Sequence, residues 1–91
     1  MLEKEIERAV KRYAESKGWI TRKWVSPGHS FVPDQIFICQ NGEVIFVEFK
    51  QAGKKPTVMQ AREHERLRTQ GCLVYVIDSV ASGKVMIDAY S

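Results

Sequence analysis

The sequence predicts an α/β protein, a mixed β-sheet flanked by helices in the order helix, strand, strand, strand, helix, strand. Three observations predict it. Residues 2–17 place Leu2, Ile6, Ala9, Val10, Tyr13 and Ala14 at helical spacing, an amphipathic stripe. Two runs rich in β-branched and aromatic residues, 31–39 and 43–50, flank Asn41-Gly42, a hairpin turn signal. A second helical segment opens at Thr57, closes at Gly71, and leads directly into the apolar run 72–78.

The elements follow in order. The first helix stops at Gly18, and Trp19 to Val25 reads as a strand. Ser26-Pro27-Gly28-His29-Ser30 reads as a loop that delivers the chain to Val32-Pro33-Asp34. Proline donates no ladder hydrogen bond, so Pro33 belongs at a strand start or an edge. After Lys50 comes a basic turn, Gln51 to Pro56. Thr57 is the expected N-cap of the second helix, and Gln60 falls at the N3 position of a capping box. Residues 79–91 suit a strand or a short helix, because Val85-Met86-Ile87 fits either and Gly83 weakens both.

Ninety-one residues give room for one domain and one modest core, so a bound metal or a partner subunit would add stability. The charged N-terminus lacks a signal-peptide pattern, and no apolar run reaches membrane-spanning length. The expectation is a soluble, cytoplasmic protein. Cys39 and Cys72 are isolated in apolar strands, without zinc-type spacing, and are expected to be reduced core residues. A net charge of +3 and a pI near 9.0 permit nucleic-acid binding.

Chemistry enters through strand phase. A two-residue period puts Val44, Phe46, Glu48 and Lys50 on one face of the third strand. In a hairpin turning at Asn41-Gly42, Asp34 lies opposite Glu48. Two ionised carboxylates together in a mostly apolar sheet cost several kcal/mol unless neutralised. A hard divalent cation removes that cost, and Mg²⁺ takes only one or two carboxylates while keeping several waters.

The combination of a helix-borne Glu, Val32-Pro33-Asp34, Val47-Glu48-Phe49-Lys50 and the later Gln60, with Trp24-Val25-Ser26-Pro27-Gly28 ahead of them, resembles the stand-alone VRR-NUC domains of the PD-(D/E)xK nuclease superfamily. The resemblance spans residues 3–79. It implies a restriction-endonuclease-like fold and a Mg²⁺- or Mn²⁺-dependent endonuclease acting on structured DNA, with homodimers that cut four-way (Holliday) junctions. By resemblance Asp34 and Glu48 bind metal with the Phe49 backbone carbonyl, Lys50 positions the attacking water, and Gln60 sits beside the site. Archaeal junction resolvases are similar in the distance from their helix Glu-Arg to a Gly-aromatic pair, which favours Glu7 as the helix carboxylate. Glu3, one turn earlier, is its competitor.

Ser26 and His29 in the loop, with Lys54, Lys55 and Arg62, are the candidate phosphate contacts. His64, among Arg62, Arg66 and Arg68, is expected on the surface. Trp24, Tyr75 and the Val85-Met86-Ile87 segment are candidates for a dimer face, although Trp24 equally suits the core and the terminal segment equally suits closure of the monomer's own core.

Overall fold

The computed structural model describes residues 1–91 and contains α1 (Glu3–Ser16), β1 (Ile20–Lys23), β2 (Gln35–Ile38), β3 (Val44–Phe49), α2 (Val58–Thr69), β4 (Leu73–Ile77) and α3 (Val80–Ala89). The four strands form one sheet in the order β1-β2-β3-β4. The first three are antiparallel, and β4 returns parallel to β3 after the α2 crossover. The expected mixed sheet flanked by helices is therefore present.

Local chemistry explains the boundaries. Glu3 and Glu5 sit in the first turn of α1, where acidic side chains complement the helix dipole, and Glu5 Oε1 accepts a hydrogen bond from the Leu2 N–H. At the hairpin, Gly42 adopts φ +87°, a left-handed conformation that glycine takes without strain, and Asn41 Oδ1 accepts from the Glu43 N–H. The resulting register pairs Gln35 with Val47 and Ile38 with Val44. The segment 31–39 is expected to be strand-like throughout, yet β2 begins only at Gln35. Phe31 at φ +70° and the proline at position 33 keep the preceding residues out of the ladder.

The core lies on one face of the sheet. Phe37, Ile45, Val47 and Phe49 are buried there against Ile6, Val10 and Ala14 of α1 and Met86 and Ile87 of α3. Trp19 packs edge-on against Phe37 at 6.4 Å. The ambiguous 79–91 segment is the α3 helix, capped by Ser79 Oγ, which accepts from the Ser82 N–H. Gly83 is required by packing: a Cβ there would fall 2.4 Å from Val10 Cγ2, so α1 and α3 approach over the missing side chain. Met86 and Ile87 consequently close this chain's own core, and only Val85 of that segment stays exposed. No helix is long and apolar enough to cross a membrane. Cys39 and Cys72 are free thiols, Cys39 buried and Cys72 half-buried.

On the opposite face of the sheet α2 packs chiefly over β4. Trp24 stacks on Phe46 there, with ring centroids 4.7 Å apart, so it packs on its own sheet. Glu48 follows Phe46 by two residues and points the same way.

Candidate functional site

The site forms at the end of the β2–β3 hairpin. Continuing the register one pair beyond Gln35–Val47 sets Asp34 opposite Glu48. Asp34 is anchored on both sides. Its backbone carbonyl accepts from the Trp24 N–H at 2.9 Å, and its Oδ2 accepts from the Phe49 N–H at 3.0 Å. The side chain of Phe49 is in the core, so the contact Phe49 itself makes at the site is this backbone hydrogen bond to Asp34.

Glu48 is 2% exposed, and its Oε1 has no hydrogen-bond partner. Burial pushes its carboxyl up to about 8, helped by the charge of Asp34, by hydrogen bonding to Asp34 and by the charge of Glu3, with Lys50 opposing. Lys50 Nζ lies 4.0 Å from Glu48 Oε2. The Lys50 backbone N–H is tied to the Ile77 carbonyl of β4 at 2.9 Å, which fixes where its side chain leaves the sheet.

His64 is placed differently from expectation. It is 1% exposed, on the sheet-facing side of α2, with Nε2 3.6 Å from Glu48 Oε1 and also without a hydrogen bond. Burial, then the charges of Arg68 and Lys50, hold its imidazole below its ordinary range against the pull of Asp34 and Glu63. The arginine-rich sequence around it hides this, because the signal is phase alone: Gln60, Glu63, His64 and Leu67 fall on one helical face. The apolar residues that normally mark such a face are scarce in α2.

Glu7 is occupied elsewhere. Its Oε1 accepts from Gln35 Nε2 at 2.9 Å, and Gln35 shares the core-side face of the sheet with Val47. No three His, Cys, Asp or Glu side chains converge, so the structure does not join Glu7 to the Asp34–Glu48 pair. Glu3 is the α1 carboxylate whose charge acts on Glu48. Gln60 completes the capping box: its N–H donates to Thr57 Oγ1, and its Oε1 accepts from the Thr57 N–H.

Around this pair the candidate phosphate contacts divide. Lys54 and Lys55 are exposed in the turn that follows Lys50, a turn pinned by the Gly53 N–H donating to Asp78 Oδ2. Arg62 points outward on α2, whereas Arg66 and Arg68 are engaged with Glu63 and Glu65. His29 Nε2 lies 3.1 Å from Glu63 Oε1, which fastens the Ser26–Phe31 loop to α2. Burial pushes Glu63 upward, but hydrogen bonds from His29 and Arg66 outweigh it and hold the carboxyl below its usual range. Ser26 is half-buried in the same loop, its carbonyl accepting from the His29 N–H.

The donor set suits a hard divalent cation. An unpartnered, buried carboxylate oxygen beside a second, fixed carboxylate is a costly arrangement for the protein alone, and a cation relieves both the desolvation and the repulsion.

No family model matches the chain. It is 46% identical over 77 residues to "Putative nuclease p44" of Acyrthosiphon pisum secondary endosymbiont phage 1, covering 85% of this chain and 83% of that protein. A solved structure described as a VRR_NUC domain superposes with a TM-score of 0.89 and 34% identity, covering 98% of this chain and 97% of the other. The structural likeness runs nearly end to end along both chains, so the sheet and its flanking helices are shared as a unit, and the chain belongs to the VRR-NUC nuclease family.

Proposed function

We propose that this protein is a Mg²⁺- or Mn²⁺-dependent endonuclease that hydrolyses phosphodiester bonds in branched DNA, four-way junctions foremost. The observation that carries the reading is the Asp34–Glu48 pair, with Lys50 beside it, in a chain of this family. Asp34 and Glu48 would hold the metal. When bound, such a cation polarises the phosphodiester and lowers the pKa of water. Asp34 enters pre-positioned, because the Phe49 N–H fixes one of its oxygens. Lys50 orients the attacking water and offsets negative charge that develops on the phosphate oxygens. Lys54 and Lys55 extend positive charge from the site along the turn.

Selectivity in this reading rests on the shape of the branched DNA, read through its backbone. A homodimer would match its two-fold axis to that of a four-way junction. The test is a panel of duplex, flap, fork and four-way junction DNA incubated with Mg²⁺ or Mn²⁺ against EDTA. The reading expects metal-dependent cuts that favour the junction, and light scattering near twice 10.4 kDa. Binding without cleavage on every substrate would make the protein a non-catalytic nucleic-acid module instead.

A further inference from the structure

The outward face of α1 carries Lys4, Arg8, Lys11 and Arg12 at spacings of three and four residues. Together with Lys23, the last residue of β1, they line a groove of about 590 Å³ between the helix and this edge strand. Its other walls are Glu7 and Glu15, and no apolar or aromatic side chain takes part.

The five cations are uncommitted. Every ion pair in the protein uses His29, Lys50, His64, Arg66 or Arg68. The two carboxylates in the groove are engaged with neutral partners instead, Glu7 with Gln35 and Glu15 with the Thr21 hydroxyl at 2.8 Å. Clustered, unpaired positive charge attracts polyanions and is relieved by them.

The groove also leads to the hairpin site. Lys23 pairs with Gln35 across β1–β2, Gln35 is next to Asp34, and the Trp24 N–H donates to the Asp34 carbonyl. The groove therefore ends at the same end of the sheet as the Asp34–Glu48 pair, although Glu48 points from the opposite face. Single strands seek aromatic platforms for their bases, and this lining has none. Duplex backbone needs only charge and polar donors.

We propose that the α1–β1 groove binds the phosphate backbone of a duplex arm of the substrate. This rests on the nucleic-acid reading above and adds a surface on α1 and β1 of which Lys54, Lys55 and Arg62 are not part.

Binding of a fluorescein-labelled duplex of about 20 base pairs, followed by anisotropy in EDTA across a salt series, tests it without cleavage. The full chain is compared with Arg8→Gln/Arg12→Gln and with the control Lys17→Gln/Lys84→Gln, whose cations lie against Tyr13 instead. Losing two phosphate contacts makes the log K against log salt slope shallower by about 1.8. The control slope stays at the wild-type value. An unchanged slope in the groove variant, or an equal change in the control, overturns the proposal. Hydrolysis of bis(p-nitrophenyl) phosphate with Mn²⁺ separates the two readings, because this diester is too small to occupy the groove. Equal turnover in wild type and groove variant supports a remote binding surface, and a selective loss in the variant contradicts it. If the slopes differ as stated while the wild type cuts none of the duplex, flap, fork and four-way junction DNAs with Mg²⁺ or Mn²⁺, the groove stands and the nuclease reading falls.

Discussion

Glu48 Oε1 and His64 Nε2 face each other at 3.6 Å inside the protein, and neither atom has a hydrogen bond. Two buried polar atoms without partners are costly, so the pairing is expected to do something at the Asp34–Glu48 site. We expect His64 to limit the orientations open to the Glu48 carboxylate. His64→Leu should then weaken Mn²⁺ binding by about 10- to 100-fold, the usual cost of losing a group that orients a metal ligand. His64→Gln, which keeps a polar atom, should recover part of it. Calorimetric titration of Mn²⁺ checks this, and unchanged affinity in the leucine variant would reduce His64 to packing.

The raised Glu48 carboxyl ties metal-free stability to pH. The group titrates near 4.5 when unfolded and near 8 when folded. The folded state therefore binds more protons between those values. Its contribution is full below about pH 4.5 and is lost as pH rises through about 8. In EDTA, the Tm of wild type relative to Glu48→Gln should fall between pH 5 and pH 9. A difference that stays flat or rises would mean that Glu48 is ionised in the folded protein.

Lys50→Ala should lower turnover by about 100- to 1,000-fold while leaving Mn²⁺ affinity nearly unchanged, since an ammonium stabilises developing charge but cannot ligate a cation. Lys50→Arg should rescue poorly, because a planar fork does not replace a compact charge 4.0 Å from Glu48. Single-turnover rates at saturating metal provide the comparison. Normal turnover in the alanine variant would leave Lys50 as an ion-pair partner only.

Gly83→Ala should destabilise the protein by about 1–3 kcal/mol, although alanine is the better helix former by about 1 kcal/mol. The new Cβ meets Val10 Cγ2 at 2.4 Å. Adding Val10→Ala should recover part of the loss, a coupling that a double-mutant cycle in urea measures. Simple additivity would show that α1 and α3 do not meet there.

The hairpin half of the site was legible because its signals are local. Asn41-Gly42 sets the register, the register sets Asp34 against Glu48, and strand phase adds Lys50. What the sequence obscured depends on long-range packing. His64 sits in an arginine-rich helix whose apolar face is weak, so nothing nearby signals its burial. Gly83 looks like a helix breaker until the approach of Val10 explains it. Glu7 and Glu3 lie one turn apart on α1. Only the docking angle of that helix decides that Glu7 meets Gln35 while the charge of Glu3 is felt at Glu48.

The most direct test of the central claim is cleavage of a labelled four-way junction by wild type, Asp34→Ala and Glu48→Ala in Mg²⁺, with binding of the same DNA measured alongside. Cleavage should require metal in the wild type and vanish in both variants, while junction binding is retained, because the pair serves the chemistry and the cations hold the backbone. Wild-type cleavage rates in either variant would contradict the account.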